Sequence, residues 1–553
     1  MDFQRLLLSA IFFFSLFLLW EQWQRDQHPE RYQQASQQAA SAVAATNASG
    51  VSATTAPAAA SGVQGANTGA AVPGGEAAKS GRKIQVKTDT LSAEITTVGG
   101  TLQRLVLLNH RAVDSDKPFV LMEKRESHVY IAQSGLIGDG MPNHNTEFTS
   151  QDDNVVLADG KDSVQVRLTA TTPSGAAIVK IYTFHRGSYL IDVGYEIENK
   201  GKTPVDADAY FQLVRDDSTP EGDSKFVPTY TGPAVYTDEA KIQKVSFSDI
   251  EKNKATFADA ASNGWVAMLQ HYFVSAWLPK NGQQHKNYVK ALDNKQFSAG
   301  VRYSIPAVAP GAKGGTSIAL YAGPAQSSLD AVAPGLGLTV DYGMLTPISK
   351  PLFMGLSYIE GWVHNWGVAI IILTILIKLI FFPLSAASYR SMAKMRVVAP
   401  KLQKIKEQYA DDRDRLHKAM MELYKTEKIN PMGGCLPMLI QIPVFISLYW
   451  AILASVELRH APFFGWITDL SSSDPYFVLP LIMAGSMLLQ TKLNPAPPDP
   501  LQAKIMQTMP IVFGVVFFFF PAGLVLYSVV NNALSILQQW VITRNAEKDK
   551  KPA

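Results

Sequence analysis

Cysteine is almost absent from this sequence, because Cys435 is the only one among 553 residues. A single cysteine excludes an intrachain disulfide and a cysteine-based zinc site. Net charge is also small, and a formal value of +3 is too low to indicate a nucleic-acid partner. A domain outside the cytoplasm would therefore have to be stable through its hydrophobic core alone.

The motifs of common catalytic and nucleotide-driven machines are missing as well. The sequence has no Walker A glycine-lysine loop, no H-E-x-x-H helix and no G-x-S-x-G elbow. These absences disfavour nucleotide-driven pumping and hydrolysis. We therefore expect no enzyme activity, no cofactor and no metal site.

Long apolar runs are confined to the N-terminus and to the C-terminal part of the chain. Residues 6–20 predict an N-terminal signal-anchor span within 1–25, with Trp20 and Trp23 at the membrane interface. A cleaved signal peptide is the alternative, but no small-x-small site follows the run directly. Residues 26–82 are rich in Ala, Ser, Gly and Gln. They predict a flexible tether, because such a segment buries too little apolar surface to offset its ordering entropy.

The segment 83–340 consists of short stretches in which apolar and polar residues alternate, with turn residues between them. One hairpin is indicated by 178–184 and 189–197, which flank a His-Arg-Gly-Ser turn. Repeats of this kind predict a large extracytoplasmic all-β sandwich. We find no convincing catalytic cluster in this domain.

The C-terminal part predicts an α-helical membrane domain. Residues 341–384 are interpreted as an interfacial helix followed by a second span, since roughly 20 apolar residues are needed to cross a bilayer. Four further spans are expected within 432–543, where Pro-Ala-Gly at 521–523 divides the last apolar region into two. With the N-terminal anchor, the prediction is a polytopic protein with six spans.

Positive charge decides the predicted orientation. The segment 385–431 and the tail 544–553 are rich in Lys and Arg, whereas the loop 457–475 carries only Arg459. By the positive-inside rule the two basic segments are cytoplasmic. Both termini are then expected in the cytoplasm and the β-domain on the opposite side of the membrane.

Lys378 is the most informative residue, because a charge inside an apolar span costs at least about 2.5–3.5 kcal/mol. It either snorkels to the cytoplasmic surface or lines a hydrated cavity open to the cytoplasm, where its charge could attract acidic residues of a short tail that is drawn into the membrane. Thr374, one turn earlier on the same face, and Gln441 in the third span are polar residues that would line the same cavity. Ordinary interhelical hydrogen bonds are the alternative for both. No mid-membrane Asp or Glu occurs from residue 433 onward, which argues against a cation-coupled transporter.

The cytoplasmic segment 385–431 predicts a helical hairpin, with apolar residues at helical spacing on both arms and a bend at Asp411-Asp412. The two apolar stripes could simply pack together. Alternatively, the methionines offer an adaptable surface to hydrophobic clients, and the basic face meets lipid headgroups or ribosomal RNA. The hairpin residues singled out for such a role are Met392, Met395, Arg396 and Met420.

Several stretches, in order, resemble the YidC/Oxa/Alb family of membrane insertases in its Gram-negative bacterial form. They are GWVAMLQHYF at 264–273, SMAKMR at 391–396 with PK at 400–401, NPMGGCLP at 430–437, QIPVF at 441–445 and FPAGLVLY at 520–527. The resemblance implies a core of five spans around a hydrophilic groove, open to the cytoplasm and to lipid. It also implies that the β-domain is similar to sugar-binding super-sandwich folds.

The same resemblance suggests roles for individual residues. Lys378 falls where the family places a groove cation, often an arginine, and Thr374 matches a polar groove position. Tyr527 matches an aromatic that contacts clients, while Ser528 stands where some relatives have a second aromatic.

The resemblance implies a membrane protein insertase and chaperone of the bacterial inner membrane that works alone or with the Sec translocon. It also places the β-domain in the periplasm. The expected partners of the insertase are nascent membrane proteins, the ribosome, Sec translocon components and membrane lipids, with no small-molecule substrate. A small-molecule transporter and an envelope scaffold that acts through the β-domain are the alternatives.

Overall fold

The computed structural model describes residue 72 and residues 81–112, 115–220, 229–343, 345–409, 412–427, 436–493 and 500–548. Several predictions fall outside the described residues. These are the N-terminal anchor, nearly all of the tether, the first residue of the Asp411-Asp412 bend, most of the NPMGGCLP motif and the end of the basic tail.

The β-domain is built from strands that pair into two sheets. The strands are β1 Lys83–Lys87, β2 Leu91–Thr96, β3 Thr101–Arg111, β4 Pro118–Arg125, β5 His128–Ile137, β6 Asn154–Val156, β7 Ser163–Thr171, β8 Ala176–His185, β9 Leu190–Asn199, β10 Val205–Asp216, β11 Gly232–Thr237, β12 Lys241–Lys244, β13 Ala260–Ala261, β14 Trp265–Gln270, β15 Phe273–Leu278, β16 His285–Ala291, β17 Gln296–Val308 and β18 Lys313–Pro324. One sheet has the order β13-β16-β17-β10-β5-β4-β3-β2-β1-β6 and the other β12-β11-β14-β15-β18-β9-β8-β7. The predicted β-sandwich is confirmed.

The core between the sheets is formed by buried side chains, which alternate along the strands with side chains on the other face. The predicted hairpin is formed by β8 and β9, which pair antiparallel with Phe184 opposite Ile191. Every second residue of β8 is buried, because successive side chains of a strand point to opposite faces. Apolar residues from both sheets meet in one cluster, so each sheet covers the apolar face of the other.

Helices make up the rest of the described chain. They are α1 Phe247–Glu251, α2 Thr346–Val363, α3 Trp366–Ile380, α4 Phe382–Gln408, α5 Arg413–Thr426, α6 Leu436–Ala454, α7 Val478–Leu493, α8 Pro500–Val516 and α9 Ala522–Lys548. In the bundle, α9 packs against α3, α4 and α7, while α2 packs against α3 and α6. The helix α2 lies where an interfacial helix is predicted; its relation to a membrane remains a prediction.

The predicted second span differs from the structure at its C-terminal end. Asn365 caps the start of α3 by accepting a hydrogen bond from the Val368 amide at 3.0 Å. The helix ends at Ile380, and α4 begins at Phe382 with Pro383 in its first turn. Proline lacks an amide hydrogen and fits the first turn of a helix, where that hydrogen would have no intrahelical partner. Pro383 therefore suits the start of a new helix, and α3 does not continue to residue 384.

The helix lengths bear on the predicted membrane crossings. Over the part of the chain that the structure describes, no single helix combines the length and apolar composition of a span. The consecutive pair Trp366–Ile380 and Phe382–Met395, bent by 66°, meets that standard together. The shorter apolar helices are Gln441–Ala454, Val478–Leu493 and Met506–Phe519.

The break predicted at 521–523 coincides with the start of α9. The amide of Ala522 donates to the Ser472 carbonyl at 2.7 Å, and that of Gly523 donates to the Leu470 carbonyl at 2.9 Å. These two bonds satisfy amides that a helix start leaves without an internal partner. They also fix α9 against the loop that precedes α7.

Candidate functional site

Lys378 occupies the last turn of α3 and reaches across to α9. Its Nζ donates a hydrogen bond to Ser535 Oγ at 2.7 Å, and the side chain is half-buried. A cation in the last turn of a helix is favoured by the helix dipole. Within the described residues, no carboxylate lies close enough to pair with this ammonium, so its charge is solvated by a hydroxyl and not neutralised.

A second polar contact joins α6 to α9. Gln441 Nε2 donates to the hydroxyl of Tyr527. The Tyr527 ring is buried, and its centroid lies 6.4 Å from that of Phe445 on α6. An interhelical hydrogen bond is one of the two interpretations that the sequence allows for Gln441, and the structure contains such a bond. The bond satisfies an amide that lies among apolar side chains.

Thr374 and Ser528 are also buried, but their hydroxyls bond within their own helices. Thr374 Oγ1 donates to the Ile370 carbonyl at 2.6 Å, and Ser528 Oγ donates to the Leu524 carbonyl at 2.8 Å. Such bonds to the carbonyl four residues earlier are common for Ser and Thr in helices. For Thr374 the structure therefore gives an intrahelical bond in place of an interhelical one.

Two of the predicted site residues, Lys378 and Gln441, each contact α9, and they do so at different points along that helix. Tyr527 and Ser535 lie eight residues apart on α9, which corresponds to about 12 Å along the helix axis. Lys378 and Gln441 are each held to α9, from α3 and α6 respectively. The helix α9 is therefore the element that brings the polar residues of the other two helices together.

The sequence reading missed a polar stripe on α9. It consists of Ser528, Asn532, Ser535 and Gln539, all of which are buried. Their spacing of four, three and four residues places them on one helix face, and this spacing was the signal available in the sequence. Asn532 Nδ2 donates to Ser486 Oγ at 2.8 Å, and Gln539 Nε2 donates to the Leu493 carbonyl at 3.2 Å. The stripe therefore connects α9 to α7 as well as to α3.

The hairpin segment forms two helices, α4 and α5, which pack against each other. Lys401 on α4 pairs with Glu427, just after α5, at 2.7 Å. Asp412 caps α5 by accepting the amide hydrogen of Arg415 at 3.0 Å, which agrees with a bend near this residue.

The predicted hairpin methionines are partly covered. Met392 and Met395 on α4 and Met420 on α5 are half-buried. Arg396 lies on α4, and its side chain is outside the described part. The arms do pack, as the simpler interpretation expects, and the partial exposure of the methionines leaves the client-surface interpretation open.

One other cluster in the β-domain has the residue types of a hydrolase site but not its geometry. Asp216 Oδ2 lies 3.0 Å from His128 Nδ1, and Ser218 Oγ lies 2.9 Å from the same nitrogen. A serine relay needs the serine and the carboxylate on different ring nitrogens. Among the described residues, no group of three or more His, Cys, Asp or Glu side chains is arranged to hold a metal ion.

Comparison with protein families assigns both halves of the chain. The profile of the YidC periplasmic domain matches residues 83–354. The profile described as 60Kd inner membrane protein matches residues 358–550. Together they cover nearly all of the chain beyond the tether.

Individual relatives agree with this assignment. The membrane protein insertase YidC of Nitrosomonas europaea is 56% identical over 84% of this chain and 76% of that protein. That of Methylobacillus flagellatus is 53% identical over 99% of this chain and 98% of its own length. A crystal structure of an active YidC insertase matches 84% of this chain and 94% of that chain at 19% identity, with a TM-score of 0.40. At so low a score, the assignment rests on the sequence matches.

Proposed function

This chain belongs to the YidC family and is a membrane protein insertase, and we propose that it receives client segments in a polar groove between α3, α6 and α9. The observation that carries the proposal is the hydrogen bond from Lys378 to Ser535 between helices of the bundle. Placing a charged side chain inside an apolar span costs free energy. Because no carboxylate of the described chain neutralises it, its charge remains available to an acidic segment of a client.

The same proposal includes a membrane arrangement. The chain crosses the inner membrane six times, with both termini and the α4–α5 hairpin in the cytoplasm and the β-domain in the periplasm. The basic residues of 385–431 and 544–553 support this orientation. The bent pair α3–α4 supports a crossing that ends in the hairpin, because α4 continues beyond the apolar part without a loop.

In the proposed mechanism a nascent chain arrives at the cytoplasmic side, where the hairpin and the basic tail meet the ribosome and lipid headgroups. A short polar tail of the client enters the groove, and Lys378, Thr374, Gln441, Ser528 and Tyr527 line its path. Polar groups along the path lower the cost of removing the tail from water. The apolar client helix then moves into lipid, and burial of roughly 20 apolar residues supplies the free energy. The Sec translocon is a proposed partner for larger clients.

A charge test at Lys378 examines the client-binding role directly. Lys378→Met should slow insertion of a client with an acidic tail by roughly tenfold, the factor that about 1.4 kcal/mol of lost attraction gives. Lys378→Arg should retain most of the rate, because it keeps the charge. The measurement is protease protection of the client in liposomes that contain the purified full chain. Equal rates for all three chains would contradict the charge role.

A crosslinking experiment tests where the client passes. A photoreactive side chain at Gln441, which is half-buried, should react with the transmembrane segment of a ribosome-bound client. The matched control is Ile442, the next residue on α6, which is 46% exposed and points to another face. Comparable crosslinking at both positions would mean that the client contacts the outer surface of the bundle and not a groove.

A third experiment concerns the hairpin. Replacing Met392, Met395 and Met420 together with serine should reduce the yield of client crosslinks at Gln441 if the methionines deliver clients. The bundle should stay folded, because none of the three is fully buried. Unchanged crosslinking and insertion would remove the methionine surface from the mechanism and leave the hairpin as a packed helical pair.

A further inference from the structure

Ser535 is the residue on which contacts from three helices converge. The residue is 6% exposed. Its hydroxyl accepts a hydrogen bond from Lys378 Nζ on α3 at 2.7 Å and donates one to the Asn531 carbonyl of its own helix at 2.8 Å. Tyr389 on α4, which is also buried, is a neighbour of this hydroxyl.

The hydrogen-bonding capacity of serine accounts for this arrangement. A hydroxyl has one hydrogen to donate and two lone pairs with which to accept. Because the hydrogen is directed to the Asn531 carbonyl, the lone pairs of the oxygen are free to accept from the Lys378 ammonium. The oxygen therefore acts as an acceptor towards Lys378.

Lysine needs such a partner more than arginine does. Its ammonium is a compact charge on a flexible stem with four rotatable bonds. Lys378 lies in the last turn of α3, so without a local acceptor the side chain would extend towards the cytoplasmic surface. A fixed acceptor on α9 keeps the ammonium between the helices.

We propose that Ser535 is the positioning residue for Lys378 and that it holds the ammonium where an acidic client segment meets it. The inference rests on the proposed role of Lys378 and adds a residue that determines client specificity. It assigns Ser535 an effect on clients with acidic tails and none on clients with neutral tails.

The test compares two substitutions of equal shape. Ser535→Thr keeps a hydroxyl, whereas Ser535→Val replaces that hydroxyl with a methyl group and leaves the rest of the side chain alike. Full chains are reconstituted in liposomes, and insertion rates are measured for two clients that differ only in an acidic or a neutral tail. The readout is the ratio of the two rates, because a general loss of folding or of activity changes both rates alike.

Ser535→Thr should keep the wild-type ratio, and Ser535→Val should lower it by roughly fivefold, which is what one typical hydrogen bond is worth. In a Lys378→Met chain, Ser535→Val should lower the ratio no further. Equal ratios for the Thr and Val variants would overturn the assignment of Ser535. If that result came with a lowered ratio in Lys378→Met alone, the proposed function would stand. An unchanged ratio in Lys378→Met would overturn the charge role and the role of Ser535 together.

Discussion

Lys180 is a fully buried lysine in the β-domain, and replacing it should change how stability depends on pH. It lies on an inward-facing position of β8, where its Nζ donates to the carbonyls of Gly99 at 2.9 Å and Ser134 at 3.4 Å. The rings of Tyr182 and Tyr195 are centred 5.4 and 5.7 Å from the same nitrogen. Burial lowers the pKa of Lys180 well below its ordinary value of 10.5.

The sign of the pH effect follows from proton linkage. The unfolded chain binds a proton at this lysine up to about pH 10.5, whereas the folded chain releases it at a much lower pH. Since the unfolded state binds more protons between these two pKa values, the free energy of unfolding rises with pH in that window. The full contribution of one such group is about 1.4 kcal/mol per pH unit.

Lys180→Met should remove this contribution to the slope. Two opposite effects act on the free energy of unfolding of this variant at any one pH. The variant loses two hydrogen bonds of about 1 kcal/mol each, but it also avoids the cost of burying an amine. The slope depends on the titrating group alone. It should be measured between about pH 8 and pH 9.5, because above that range the tyrosines of the unfolded chain ionise.

Alkylation of a buried thiol can follow the β-domain inside the full chain. Ser275 is completely buried on β15, so Ser275→Cys in a Cys435→Ser background reacts only when the domain opens. Urea titrations with a short alkylation pulse then give the free energy of unfolding at each pH. The control is Lys87→Met, because that lysine is exposed on β1. Identical slopes for wild type, Lys180→Met and Lys87→Met would refute the reasoning.

Three further outcomes are expected. Tyr527→Phe and Gln441→Leu should each destabilise the bundle. A double-mutant cycle measured in detergent should give a coupling free energy of about 0.6–1.7 kcal/mol between the two residues. Additive effects would contradict the hydrogen bond between them. Asp474→Ala should lower the free energy of unfolding by about 1–3 kcal/mol in thermal unfolding, because its buried carboxylate accepts from Trp466 Nε1 at 3.0 Å, from the Tyr476 amide just before α7 and from the Leu479 amide in its first turn. Asp474→Asn should cost less. Burial, with the nearby charges of Arg459 and His460, lowers the pKa of His110 to about 4. Thiol alkylation should therefore show stability falling as the pH drops from 6.5 towards 4, and a smaller fall in His110→Gln.

The sequence predicted the type of each half well but not the pairing of its elements. Alternation within 178–197 predicted the β8–β9 hairpin, because a hairpin needs only local pattern and a turn. The neighbours of β10 in the sheet are β5 and β17, far away in the sequence. Such pairings depend on how whole faces fit together, and no local pattern encodes them.

The candidate site was predictable to the extent that a residue is unusual by itself. A lysine in an apolar run stands out, and so does a glutamine within a span. Their partners do not: Ser535 lies 157 residues from Lys378, and serine in a helix usually bonds its own backbone. The i, i+4, i+7, i+11 spacing of polar residues on α9 was visible in the sequence, but only the fold shows that this face points to α3 and α7.

A hydroxyl partner for Lys378 fits the proposed work better than a carboxylate would. A carboxylate would form a buried ion pair with the ammonium, and separating such a pair is strongly unfavourable. An acidic client segment would then have to displace a bound anion before it could interact. Ser535 accepts a hydrogen bond without cancelling the charge, so the ammonium is oriented and remains attractive to anions. Because a client must leave again for the lipid, a partner that orients the lysine but competes weakly for it allows both capture and release.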